Sequence, residues 1–450
     1  MTVLNQKNVK FEFFKLAIPS VISMWVYTLY TMVDGMFVAK GVGETALAAV
    51  NISMPLINIA FGISILWAVG ASTRASIFKG KNDKENANRV FTISTITVFV
   101  LGLIFTFVTF TNLDFFAKLL GSSPETHHYV KDYLSVIVLF FPFYMTAYNL
   151  EVLIKADGFP KKAVTAVLTG AFTNIILDYL FVIRFGYGIK GAAAATGLSQ
   201  LITFGIFFSH YLINKNGFTF IKVKLRLSEI LSMAKIGIAD SLTESSVASI
   251  TFLFNHVLLT NIGNDGIVIH TVITYVYQLV LMTMLGLNQG MQPLVSYYYG
   301  KEDSKSYKYI LRVALISAGI ASLIAFLIAM ILPAPIISMF ISPDNLDLFN
   351  HAIYAFRLFA FSYLPLGFVI IFYGYFTATE SINRAISISL ARGLIFVLIS
   401  LAIMPKLFGE PGIWLSLLLS ESLSLIFALT LFKQAKVSET VHQYENQWSQ

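Results

Sequence analysis

Residues 43–81 read GETALAAVNISMPLINIAFGISILWAVGASTRASIFKGK, and residues 263–301 read GNDGIVIHTVITYVYQLVLMTMLGLNQGMQPLVSYYYGK. Sliding the chain by 220 positions lays Gly43, Gly70, Gly80 and Lys81 onto Gly263, Gly290, Gly300 and Lys301 without a gap. Between these anchors both copies are long apolar stretches, and both run into a charged turn, KGKNDKENANR and GKEDSKSYKYILR. Apolar runs of this length match the thickness of a bilayer. Their recurrence implies two membrane-embedded halves, a plan that places a site between repeats.

The rest of the chain extends this reading. Of 450 residues, 56% are hydrophobic and only 12% charged, which is not the composition of a soluble protein. About twelve apolar stretches each approach the ~20 residues that cross a hydrocarbon core: 13–38, 46–72, 91–112, 132–155, 163–183, 191–213, 237–260, 267–293, 310–332, 352–377, 385–407 and 412–432. They are continuously apolar, whereas a membrane strand alternates over about 10 residues, so helices are expected and a barrel is not. The expected fold is an all-α integral membrane protein with twelve transmembrane helices in two pseudo-symmetric six-helix lobes.

Further matches between the halves are Ser123-Pro124 with Ser342-Pro343, Lys162-Ala163 with Arg384-Ala385, and Gly188-x-x-Gly191 with Gly409-x-x-Gly412. Six spans separate the copies, so both enter from the same side. They form a parallel repeat with a central cleft as the expected path. The domain boundaries read 1–213 for the N-terminal lobe, 214–236 for a basic, partly amphipathic cytoplasmic linker, 237–432 for the C-terminal lobe and 433–450 for a cytoplasmic tail.

A net charge of +7 could suit nucleic acid, but the basic residues sit in short loops between spans, so no nucleic-acid partner is expected. Assigning loops alternately, 24 of the 31 Lys and Arg fall on the side of the N-terminus and 6 on the other, with Arg357 left inside a span. The positive-inside rule then puts both termini in the cytoplasm of a multi-pass protein of the inner (cytoplasmic) membrane. The first apolar run carries Asp34 and no small-residue cleavage site, so it is expected to remain as a span. Without cysteine there is no disulfide, thiolate ligand or cysteine nucleophile. No phosphate-binding loop or dinucleotide fingerprint occurs, and no nucleophile–base or metal set, so neither a cofactor nor an enzyme is expected.

Charges inside spans carry the functional signal. An aspartate at the centre of a membrane helix costs about 2.5–3.5 kcal/mol on insertion scales, so one that persists should face protein, water or a ligand. Asp34 lies near the outer end of span one and Asp178 near that of span five. At 1.5 Å per residue both sit roughly 8–9 Å below the external surface. Thr196 returns to that depth on span six, and Asn174 lies one turn from Asp178 on the same helix face. Four oxygen-bearing side chains thus share one level of the N-terminal lobe. Two carboxylates in a low dielectric repel when both are ionised, which suits a proton carrier; the same oxygens could hold Na⁺, or could only tie helices together.

Other candidates are weaker. Glu151 near the inner end of span four, and Asp240 and Glu244 at the cytoplasmic start of span seven, could line an inner vestibule or be helix-end groups reaching the headgroups. Glu421 in span twelve is either a cavity acid or a bundle hydrogen-bonder. Among 40 Phe, 21 Tyr and 13 Met, the residues Tyr144, Tyr148, Tyr275, Met282 and Met291 on spans four and eight are the expected cavity contacts. His127, His128, His256 and His270 read as solvated loop histidines, without further ligands for a metal.

The first half carries, in order, Leu16-Ala-Ile-Pro19, Val33-Asp34-Gly-Met-Phe-Val38, Gly41-Val-Gly43, Ala46-Leu-Ala-Ala49, Asn174-Ile-Ile-Leu-Asp178-Tyr-Leu-Phe181 and Gly188-Ile-Lys-Gly191-Ala-Ala. In these motifs the chain resembles the multidrug and toxic compound extrusion family, in its DinF-like and MepA-like branch. In the second half Asn288-Gln-Gly-Met-Gln-Pro293-Leu and Gly409-Glu-Pro-Gly412-Ile-Trp414 are similar to their counterparts, so residues 12–432 are covered. The resemblance implies a monomeric antiporter that exports cationic drugs by alternating access against inward H⁺ or Na⁺. By matching positions it implies Asp34, Asn174, Asp178 and Thr196 as the coupling-cation site and Pro19 as the bending proline of span one. The NorM-like branch uses acids on spans seven and ten of the C-terminal lobe; here span ten has none, so the expectation leaves ion chemistry in the N-terminal lobe. The competing expectation is a lipid-linked oligosaccharide flippase of the related two-lobe fold. Its anionic cargo calls for a basic cavity, and Arg357 is read as the lone deep cation.

Overall fold

In the computed structural model the structure describes residues 3–214 and 216–448, with side chains over 8–214 and 216–435. Lys215 lies outside the described residues, as do the side chains of Lys7, Lys436 and most of the 433–450 tail. Twelve long helices carry the fold: α1 (Val3–Gly41), α2 (Glu44–Gly80), α3 (Lys84–Thr111), α4 (His127–Ala156), α5 (Pro160–Arg184), α6 (Gly188–Ile213), α7 (Leu227–Asn261), α8 (Asn264–Gly300), α9 (Ser304–Ile331), α10 (Leu346–Ala378), α11 (Ile382–Phe408) and α12 (Glu410–Trp448). Eleven of the described helices are long and apolar enough to cross a membrane. The twelfth, α7, falls short because Asp240, Ser241, Thr243, Glu244, Ser245 and Ser246 crowd its middle.

The repeat reaches down to backbone conformation. Gly43 and Gly263, with φ of 119° and 89°, precede α2 and α8 in a region where L side chains are strained. The charged turns hold Asn82 and Glu302 at φ of 59° and 60°, and the next residues, Asp83 and Asp303, cap α3 and α9 by accepting from the backbone N–H groups of Asn86 and Ser306. Each capped turn is the same device displaced by 220 residues.

The two halves cross at the end of the bundle that carries the termini. α1 packs along α8, and α7 along α2. Phe13 of α1 is buried in the core cluster of the C-terminal half, while its repeat partner, Met233 of α7, is buried in the N-terminal core. Glycines allow this approach. A Cβ on Gly70 would lie 1.9 Å from the Met233 carbonyl oxygen, and one on Gly237 2.1 Å from that of Leu66. Gly80 and Gly300 make the reciprocal pair, 2.1 Å from the Tyr297 oxygen and 2.2 Å from the Ile77 oxygen. Where lipid is the solvent, association relies on such close packing of small residues.

The region read as a linker differs in detail. Residues 217–226 are extended, and the amphipathic part that follows belongs to α7, which begins at Leu227. The extended part lies on the N-terminal lobe: Phe218 N–H donates to Asp157, Thr219 N–H to Asn88 and Ile221 N–H to Thr92. As a result Asp240 and Glu244 sit in the middle of α7 instead of at its start. Span four is also interrupted, by a tight 3₁₀ turn over Val138–Phe140.

Candidate functional site: an interlobe cavity and two buried polar centres

Between the lobes, in the half of the bundle away from the termini, lies a cavity of about 840 Å³. That volume suits a drug-sized molecule. α1, α2, α4 and α6 line one side and α7, α8 and α10 the other. Tyr144, Tyr148, Tyr275, Met282 and Glu244 all face it. Phe61 and Tyr148 meet edge to face at 4.7 Å, and Tyr275 stacks on Phe340 at 5.7 Å, so much of the wall is aromatic. Two carboxylates open onto it. Asp240 accepts from Gln292 at 2.9 Å and Thr377 at 3.3 Å, while Glu244 makes no hydrogen bond among the described residues. No Lys, Arg or His is among the described lining residues.

Two of the expected cavity residues lie elsewhere. Met291 is fully buried in the C-terminal core, because Gly290 next to it brings α8 onto Ala17 of α1 and closes the cleft at that level. Glu151 is also fully buried, below the cavity floor, where Lys155 Nζ and the Tyr27 hydroxyl donate to it at 2.6 and 2.7 Å. Lys155, counted from the sequence as a loop charge, is therefore inside the protein.

The N-terminal centre gathers the four residues singled out by depth. Asp34 on α1, Asn174 and Asp178 on α5 and Thr196 on α6 converge, with Asn174 donating to Thr196 at 3.5 Å and the Asp34 carboxyl beside Asp178 and Thr196. Asn174 and Asp178 are wholly buried and Asp34 is 5% exposed. Oδ1 of Asp34, Oδ1 of Asn174 and both carboxyl oxygens of Asp178 receive no hydrogen bond. Such buried acceptors are costly unless a proton or cation completes them. Directly after Asp178 the helix widens into π geometry over Tyr179–Arg184, a local underwinding that often marks functional positions. Tyr30, bonded to Gln200 at 3.2 Å, stands between this centre and the cavity, and Tyr133 faces both acids. Tyr133 lies at the start of the expected span 132–155, with nothing in residue order to mark it as a functional residue. Pro19 lies within α1, which continues helical through it.

The C-terminal lobe has a buried polar centre of its own, built around Glu421, for which the sequence left a cavity acid and a bundle hydrogen-bonder open. Arg392 donates through Nε to Glu421 at 2.9 Å and through Nη2 to the Tyr277 hydroxyl at 3.2 Å, both charged side chains being 1% exposed. Arg392 sits in a second π segment, Ala391–Ile395, on α11. The loop count included it although it lies within the apolar run 385–407; Arg357, read as the lone deep cation, is exposed. His270 is likewise no loop residue. It is 2% exposed, bonded to Asn255 at 3.0 Å and stacked on Phe254.

Comparison with known proteins fits this architecture. The MatE family model matches residues 19–180 and again 241–403, one match per half. The chain belongs to the MatE family. It is thus a membrane transporter and not an enzyme. The multidrug export protein MepA of Staphylococcus aureus is 26% identical over 421 residues, covering 92% of this chain and 91% of the relative. MepA of Staphylococcus haemolyticus is 25% identical over 416 residues, with the same coverage. Among solved structures, an outward-facing multidrug resistance MATE family transporter of the MOP superfamily superposes with a TM-score of 0.89 at 22% identity, over 96% of each chain. A MATE structure in the bent conformation gives 0.87 at 21% identity over 98% and 99%. A MOP superfamily transporter from Pyrococcus furiosus gives 0.87 at 22% identity over 96% of each chain, and for that protein a reversed polarity of the binding pocket has been taken to suggest a different function. At these identities the superpositions establish a common fold.

Proposed function

We propose that this transporter is a multidrug exporter that expels organic cations from the cytoplasm in exchange for H⁺ or Na⁺. The observation that carries the reading is the interlobe cavity: aromatic and Met walls, two carboxylates, Asp240 and Glu244, and no basic side chain among its described lining. Flat cations gain from aromatic faces and from unpaired carboxylates. An anionic pyrophosphate lipid would meet repulsion there. The multidrug export relatives support the same cargo class.

In this reading Asp34, Asn174, Asp178 and Thr196 take up the coupling ion. A proton or Na⁺ completes the unpartnered oxygens of Asp34 and Asp178, and its release returns negative charge to the lobe. α1 carries both Asp34 and part of the cavity wall, including Tyr27 and Tyr30, so a change at the acids reaches the cargo along one helix. Pro19 removes one intrahelical hydrogen bond and lets α1 bend with that change. The membrane potential adds about 2.3 kcal/mol per charge per 100 mV to ion entry. With the termini in the cytoplasm of the inner membrane, the glycine seam closes the inner end and the cavity faces out. A single chain holds all these elements, so the working unit is a monomer.

Reconstituted vesicles loaded with ethidium, given a pH or a Na⁺ gradient one at a time, test this directly. Gradient-driven ethidium movement that disappears in Asp34→Asn and Asp178→Asn is expected. Undiminished movement in both variants, or movement of a lipid-linked sugar in place of ethidium, overturns it.

A further inference from the structure

Beneath the cavity floor is an ion pair that the exchange described above does not use. Lys155 and Glu151, one helical turn apart on α4, are 2% and 0% exposed and lie 2.6 Å apart. The second carboxyl oxygen of Glu151 accepts from Tyr27 at 2.7 Å. Lys155 also donates to Gln289 at 3.2 Å, and Gln289 donates in turn to the Tyr148 hydroxyl at 3.0 Å. Gln289 is on α8, in the other half of the repeat, while the remaining members are on α1 and α4. Tyr27, Tyr148 and Gln289 line the cavity, so the pair is one hydrogen bond behind its floor.

Burying two charges is expensive, and an apolar pair of similar volume is often as stable. The bond to Gln289 gives this pair something an apolar substitute lacks, because it reports whether the halves are together. When they part at the end carrying the termini, Gln289 leaves with α8. Lys155, on the last turn of α4 beside that end, has a long flexible stem that can carry its ammonium to water. Glu151 then faces the opened cleft, flanked by Tyr27 and Tyr148, a carboxylate between aromatic rings. That is the chemistry that recognises an organic ammonium.

We propose that Glu151 is a second recognition carboxylate for organic cations, used when the cleft opens at the end carrying the termini, and that Lys155 occupies it as a tethered alkylammonium in the closed arrangement. This rests on the reading that the cargo is an organic cation. Closure of the seam returns Lys155 to Glu151, displaces the cargo toward the cavity and lets Gln289 latch the occupied pair. The lysine does by return what the cargo does by entry.

The chain has no cysteine, so closure can be followed with one introduced pair. Arg74 and Glu380 meet across the seam at 3.3 Å, and Arg74→Cys with Glu380→Cys can be bridged by a short bifunctional thiol reagent. In that background Lys155→Ala is expected to lower bridging at least threefold. Propylammonium should restore it saturably, with a midpoint on the order of millimolar, as for a ligand standing in for a short tether. The rescue should vanish in Glu151→Gln, Lys155→Ala. Unchanged bridging in Lys155→Ala, no rescue, or rescue that persists without Glu151 each overturns the proposal. This assay moves no cargo, so failed ethidium export would count against the proposed function while the rescue still decides the role of Lys155. If Lys155→Ala is not recovered folded, labelling of Lys155 by an amine reagent in the native chain serves instead. Tetraethylammonium should raise it severalfold in the parent and not in Glu151→Gln; no rise overturns the proposal.

Discussion

The two lobes share a fold, a turn geometry and a helix-pairing scheme, yet the centres beside their π segments differ in how the buried acids are matched. The N-terminal lobe encloses Asp34 and Asp178 with no buried cation beside them, whereas the C-terminal lobe encloses Glu421 already matched by Arg392. A buried acid with a resident guanidinium is complete and has no use for a small ion. A buried pair of acids is incomplete until one arrives. Repetition supplied two equivalent compartments, and under the proposed function the placement of one arginine leaves ion exchange to the N-terminal one.

The sharpest way to break this contrast is to neutralise each centre in turn. Asp34→Asn or Asp178→Asn is expected to lower gradient-driven ethidium export by at least two orders of magnitude. The double variant Arg392→Met, Glu421→Met should keep export within a few-fold of the parent; comparable losses in the two lobes would erase the distinction. Stability gives the next effect. Arg392→Met alone strands a buried carboxylate and should cost about 3–5 kcal/mol, while the double variant should recover most of that loss. Thermal unfolding in detergent, followed by size exclusion, reads both.

Cargo affinity comes third. Glu244 faces the cavity without a hydrogen bond, so Glu244→Gln should weaken ethidium binding about tenfold, or 1.4 kcal/mol. Asp240→Asn, whose carboxyl is already shared by Gln292 and Thr377, should weaken it less. Equal losses by equilibrium binding would mean that hydrogen bonding does not discriminate between them. The smallest effect belongs to the N-terminal lobe's surface cluster. Hydrogen bonds from Lys118, His127 and Lys131 hold the Asp114 carboxyl well below the usual carboxylate range. A depressed carboxylate stabilises above its unfolded value and loses that contribution only as pH falls through the folded one. Asp114 is more than half exposed, however, so solvent screens the cluster. Asp114→Asn should leave the melting temperature unchanged between pH 5 and 8, and a marked pH dependence there would show that the cluster is better shielded than its exposure implies.

Much of this was legible from residue order. Bilayer thickness fixes helix length, and the 220-residue offset matches Gly70 to Gly290 and Gly80 to Gly300, four glycines at which the halves approach. Asp34, Asn174, Asp178 and Thr196 could be placed at one depth because rise per residue is constant. The errors share a cause. Lys155, Arg392 and His270 lie near the ends of apolar runs, where a one-dimensional reading assigns polar groups to water. Their burial depends on a neighbouring helix that brings a partner: Gln289 for Lys155, Glu421 for Arg392 and Asn255 for His270. Glu151 and Met291 were misplaced for the complementary reason. Both sit on cavity helices, but at the level where the lobes already touch. Tyr133 stands at the start of span four with no mark in residue order to set it near Asp34 and Asp178; only helix packing does so.

The glycine seam carries a last implication. Its contacts join main chain to main chain, at Gly70, Gly80, Gly237 and Gly300, and none of those four residues touches the cargo space. The door and the room behind it are therefore written in separate parts of the sequence. Substitutions among the aromatic and Met walls can broaden what is admitted without loosening the latch, which leaves selection free to retune a drug pump's appetite while its stroke stays the same.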